Sequence, residues 1–150
     1  MSYFATLLSL ISLVLGKSLG LGKFHWHNSN LKIEDSGWIT IDFEYPFYLY
    51  IDGSAIRYRK YGSIIELCGI ITTLETIGGS STLHTICTMP SGYRPKNRLV
   101  QICQGSSSAN WTLEVSTAGV VSFSRYTIGD SFSDTPDGVW LPFDILYMIP

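Results

Sequence analysis

A chain of 150 residues with 45% apolar, 13% aromatic and only 15% charged side chains can bury one domain-sized core without disulfide or metal staples. Its formal net charge of −2 argues against a nucleic-acid groove and against steering towards an anionic membrane. So little charge implies that some surface is hidden against other copies.

Residues 1–16, MSYFATLLSLISLVLG, are the helical candidate. Phe4, Leu7, Leu8, Ile11, Val14 and Leu15 fall at helical spacing, with Thr6, Ser9 and Ser12 on the opposite side. Gly16 suits a helix stop and Lys17 the negative end of the dipole. The run is too short to span a bilayer, so membrane insertion is not expected. It also lacks the leading basic residues and small-x-small site of a signal peptide. The expectation is a helix that anchors or trimerises the chain, with cleavage near Gly16 as the rival. Residues 17–37, rich in Gly, Ser and Asn, read as a neck or linker.

From residue 38 to 150 the period changes to two. In WITIDFEY, Ile39, Ile41, Phe43 and Tyr45 alternate with Thr40, Asp42 and Glu44, as a half-buried strand requires. Residues 46–53 read as an aromatic-rich loop. Further strands are expected near 56–61, 63–73, 83–89, 98–104, 110–116, 119–126 and 139–149. Gly-, Ser- and Pro-containing joints separate them, including TMPSGYRP at 88–95 and a long joint at 129–138. This spacing predicts an antiparallel β-sandwich or jelly roll, mainly β in class. Cys68, Cys87 and Cys103 all fall within strands; an odd number without a CxxC pair reads as free buried thiols rather than disulfides or a zinc site.

Two strands are apolar on both faces. Along 64–71, Ile65, Leu67 and Ile71 oppose Ile64, Cys68 and Ile70. Along 139–149, Leu141, Phe143, Ile145 and Tyr147 oppose Trp140, Leu146 and Met148. A lone sandwich needs one apolar face per strand, so Ile64, Ile70, Trp140, Leu146 and Met148 are expected to meet a neighbouring copy.

Taken in order, DSGWITI (35–41), IRYRKYGSIIELCGII (56–71), ICTMPSGYRP (86–95), TAGVVSFSRY (117–126) and GVWLPFDILYMIP (138–150) resemble the head domains of bacteriophage tail-fibre and baseplate receptor-binding proteins. The resemblance implies a homotrimeric, jelly-roll-like head that recognises a host cell-wall or surface polysaccharide without chemistry. It also implies a virion protein assembled in the host cytoplasm. Family members usually follow a long stem, whereas here a short helix and neck would attach the head to baseplate, tail or capsid proteins. The alternatives are a decoration or fibre-anchor protein without a ligand, and a secreted bacterial sandwich.

A saccharide site needs an aromatic face for C–H surface and planar polar groups for hydroxyls. Trp111, Arg125, Tyr126, Asp130 and Asp134, in or beside the late strands and the long joint, are the candidates. Trp111 shares a strand face with Leu113 and Val115, which weighs towards core. His25 and His27 share one face of an extended segment, and three copies about an axis would offer an octahedral set of imidazole nitrogens. Solvated neck residues are the simpler reading, and no cofactor is expected. Asp42 with Glu44 reads as a solvated face, and Asp130, Asp134 and Asp137 lack EF-hand spacing. No Ser-His-Asp order, P-loop or dinucleotide fingerprint is present, so no catalysis is expected.

Overall fold

The period-two pattern becomes ten antiparallel strands and no helix among the described residues. The computed structural model describes residues 33–51 and 54–150. The expected helix over 1–16, most of the neck, and His25 and His27 therefore lie outside the described residues. The strands are β1 (Ile39–Ile41), β2 (Phe47–Leu49), β3 (Ile56–Tyr61), β4 (Ile64–Thr73), β5 (His84–Thr88), β6 (Leu99–Gln104), β7 (Ala109–Val115), β8 (Val120–Ile128), β9 (Ser131–Phe132) and β10 (Leu141–Met148).

They form two sheets. The first runs β1-β3-β4-β10, with β2 also on β4; the second runs β5-β8-β7-β6, with β9 on β8. In the second sheet β6, β7 and β8 are consecutive neighbours and β5 lies beside β8, a Greek-key order. The inward face of β4 contributes Ile65, Leu67 and Ile71, and that of β10 contributes Leu141, Phe143, Ile145 and Tyr147, all buried. Trp111, Leu113, Val115, Val121 and Phe123 meet them from the second sheet. The Trp111 ring lies 5.5 Å from Phe123 and 6.1 Å edge-on from Phe143, which closes the sandwich around one aromatic cluster.

The corner at 88–95 fastens both sheets. Tyr93 N–H donates to the Pro90 carbonyl at 3.2 Å, making the turn, and Met89 N–H donates to Gly119 in the β7–β8 connection at 2.8 Å. Arg94 Nε returns to the Met89 carbonyl at 3.1 Å. From the first sheet, the Tyr147 hydroxyl donates to the Tyr93 carbonyl at 2.7 Å, and Tyr58 packs edge-on against Tyr93 at 4.9 Å.

Several boundaries differ from the expected ones. β1 stops at Ile41 rather than running to residue 45, because its ladder ends opposite Ile56 and Glu44 N–H bonds to Ile86 on β5 at 2.7 Å. The expected loop at 46–53 contains β2. β4 runs past its last partner in β3, and Phe47–Leu49 take the open ladder positions at Ile71–Thr73. The long joint after residue 128 likewise contains β9, paired with Thr127 and Ile128. Residues 34–36, placed in the neck by composition, are hydrogen-bonded to β3 and the β3–β4 turn through Ser36 to Lys60 and Gly62 to Glu34, both 2.9 Å.

Candidate functional site

The outer face of the first sheet can be laid out by register. Tyr61, Ile64 and Met148 stand abreast on β3, β4 and β10; then come Arg59, Glu66 and Leu146; then Arg57, Cys68 and Asp144. Beyond them Ile70 stands opposite Pro142. Apolar groups gather at one end of this face and charged groups occupy its middle.

The middle is organised by a stack. Trp38, next to β1, lies against two guanidinium groups, with Arg59 at 4.8 Å and Arg57 at 5.4 Å from its ring centre. Arg59 is also paired with Glu66 at 2.8 Å. Arg57 has no carboxylate partner among the described residues. Trp38 therefore orients a guanidinium that no carboxylate among the described residues occupies.

Arg57 lines an open cleft of about 800 Å³ at the edge where β10 of the first sheet adjoins β6 of the second. The floor is Cys68, Gly69 and Ile70; Pro142, Phe143 and Asp144 come from β10; Gln101 to Gln104 form the far wall, and Ile51, Ser54 and Ala55 the near one. Gln101 Nε2 donates to the Asp144 backbone carbonyl at 3.1 Å, which ties the two edge strands and leaves the Gln101 carbonyl oxygen open. Gln104 Nε2 bonds to the Ser107 carbonyl at 3.4 Å. Burial raises the Cys68 thiol, helped by Asp144 and opposed by Arg57, so it sits protonated on the floor. Burial pushes Cys103 up to about 11. The described lining of the cleft thus combines hydrogen-bonding groups with apolar contacts, and burial holds both of its thiols protonated.

The residues expected from sequence to hold a ligand lie elsewhere. Trp111 is 1% exposed and donates its indole N–H inward to Gln104, and Tyr126 is 3% exposed. Both belong to the core and offer no face to a ligand, which corrects Tyr126 as a candidate and leaves Trp111 where its spacing with Leu113 and Val115 weighed it. Arg125, Asp130 and Asp134 are exposed towards the β8–β9 end. Arg125 has a φ of 53° where the β7–β8 register shifts, and its N–H donates to the Ser80 carbonyl. Asp134 accepts from Gly79 N–H at 2.8 Å, fixing the loop. None of the five lines the cleft.

The residues expected to meet another copy divide in two. Ile64, Leu146 and Met148 are 44%, 66% and 67% exposed and form one apolar group on the outer face, whereas Ile70 and Trp140 are half-buried. On β6, Val100 and Ile102 add further exposed apolar surface. Neither Arg57 nor Asp144 was among the candidates named from the sequence. For Asp144 the available signal was a lone charge on the outward face of β10, beside Leu146 and Met148; Arg57 shares the outward face of β3 with Arg59 and carries no such signal.

No protein-family model and no curated protein sequence matches the chain. Among solved structures, the chain is similar to the receptor-binding protein gp15 of Listeria phage PSA. The TM-score is 0.54 at 15% identity, over 100% of this chain and 81% of that one. At that identity the likeness is one of fold: a mainly β, antiparallel sandwich shared with a phage receptor-binding protein.

Proposed function

We propose that the chain is a phage virion protein whose sandwich recognises a saccharide receptor on the host surface, without catalysing a reaction. The observation that carries this is the sandwich fold that the chain shares with a phage receptor-binding protein. Fold alone does not fix function. The second support is an open cleft lined by Arg57, Gln101, Gln104 and Asp144, groups able to hydrogen-bond sugar hydroxyls. In this reading the protein works as a homotrimer, and Ile64, Leu146 and Met148 are covered by a neighbouring copy. The segment before residue 33 attaches it to baseplate, tail or capsid proteins.

Labelled protein incubated with a panel of purified bacterial cell walls tests the reading. The expected result is retention that survives protease treatment of the walls and disappears after periodate, which cleaves sugar diols. Absence of retention on every wall would leave a decoration or anchor role in its place.

A further inference from the structure

The row Arg57, Cys68 and Asp144 carries more information than the presence of a cleft. Register places the three abreast on adjacent strands, so the Arg57 and Asp144 backbones stand about 10 Å apart, two inter-strand spacings. The ion pairs among the described residues are Arg59–Glu66 and Arg98–Glu114, so Arg57 and Asp144 are paired neither with each other nor with another described charge. A neutral thiol lies between them and apolar Ile70 beside them.

This arrangement selects by charge. An anionic group attracted to Arg57 also meets Asp144, and a cationic group attracted to Asp144 also meets Arg57. A ligand with net charge gains at one end what it loses at the other. A neutral ring with several hydroxyls loses nothing, because each hydroxyl can accept from a guanidinium or donate to a carboxylate. The gap accommodates one sugar ring, and the volume lies within the range of about 300–1,000 Å³ usual for small-ligand sites. Ile51, Ile70 and Ile102 supply apolar surface for the C–H face.

We propose that this cleft is the receptor subsite and that it takes an uncharged saccharide unit. Arg57 donates to one side of the ring, Asp144 accepts on the other, and Trp38 acts as a positioning residue behind Arg57. This rests on the receptor-binding reading above, but it moves the site from the Arg125 region to the edge between β10 and β6.

The full chain is titrated by saturation-transfer NMR with glucose, galactose, rhamnose and N-acetylglucosamine, and with glucuronic acid and glucose 1-phosphate as charged controls. At least one neutral sugar is expected to bind and the charged pair to bind more weakly. Arg57→Ala and Asp144→Asn are each expected to weaken binding about tenfold or more, the loss of one charge-assisted hydrogen bond. Arg125→Ala is expected to leave it unchanged. Cys68 is half-buried while Cys87 and Cys103 are buried, so maleimide reports on the cleft floor, and saturating sugar is expected to slow its reaction. Thermal melting of each variant checks that the fold is intact.

Charged sugars binding as tightly as neutral ones would overturn the assignment. So would binding that persists in Asp144→Asn with Cys68 unprotected. Walls that retain wild type and Asp144→Asn equally would refute the cleft while sparing the receptor role. Walls that retain neither would refute both.

Discussion

Replacing Gly119 by Ala tests how tightly the corner at 88–95 is held to the β7–β8 turn. Gly119 has a φ of +88°, and an added Cβ would lie 2.8 Å from the Met89 carbonyl oxygen and 2.8 Å from Arg94 Cγ. Holding an L-residue in a left-handed conformation costs about 1–2 kcal/mol. The Met89 oxygen cannot simply retreat, because Met89 N–H is bonded to the Gly119 carbonyl and Arg94 Nε to that same Met89 oxygen. Lengthening these bonds adds about 1 kcal/mol each, for a total of roughly 3–4 kcal/mol. Gly138→Ala is the control, since its φ is +72° but nothing lies within 4 Å of the added methyl. It should cost only the conformational part, about 1–2 kcal/mol. At about 4 °C per kcal/mol for a domain of this size, Tm should fall by about 12–16 °C in the first variant and about 4–8 °C in the second. Thermal unfolding followed by circular dichroism at equal protein concentration reads both. Equal shifts would show that the two backbones part freely and that the corner is not a rigid fastening.

Three further outcomes are expected. Tyr147→Phe removes the buried donor to the Tyr93 carbonyl, leaving that oxygen unpaired; urea unfolding should show a loss of about 1–3 kcal/mol, and an unchanged midpoint would contradict the bond. Burial pushes the Cys87 thiol up to about 12 from 9.0, and burial also raises the Tyr147 phenol. Both groups keep their protons in the folded chain where the unfolded chain loses them, so stability falls as pH rises. For Cys87 the fall begins near pH 9 and levels near 12, with a slope up to about 1.4 kcal/mol per pH unit. Urea midpoints between neutral and alkaline pH should show it, and Cys87→Val should flatten the slope. Leu146→Asp places a charge among Ile64 and Met148; light scattering should give the single-chain mass for the variant and three times that mass for the wild type. A wild type that is already monomeric would remove the reason given for those exposed side chains.

Much of the sandwich was legible because alternation is a local property. Ile65, Leu67 and Ile71 against Ile64, Cys68 and Ile70 are separated correctly by period alone, and the core strands fall within a few residues of their expected bounds. β2 was not legible because it exists only as a partner for the free end of β4, a tertiary fact with no signature in FYL. Arg125 was readable as exposed but not as a bulge with positive φ, since that depends on the slip against Asn110 and Thr112. The cleft was hidden for the same kind of reason. Arg57 and Asp144 are separated by most of the domain in sequence, and only the shared register with Cys68 brings them abreast. Trp111 was read as core from its spacing with Leu113 and Val115, and the structure agrees. Tyr126 sits on the interior side because the shift at Arg125 resets the alternation that would otherwise turn it outward.

The first sheet is not continuous in the chain: β1 to β4 come first, the whole second sheet follows, and only then does β10 return beside β4. Closing so long an excursion is entropically slow, whereas β6, β7 and β8 pair with their immediate successors. Assembly should therefore begin in the Greek-key half and finish when β10 docks. Until that docking, the Arg57–Asp144 row and the Leu146–Met148 surface do not exist, so a half-assembled chain lacks both the cleft proposed for the receptor and the face proposed to meet another copy.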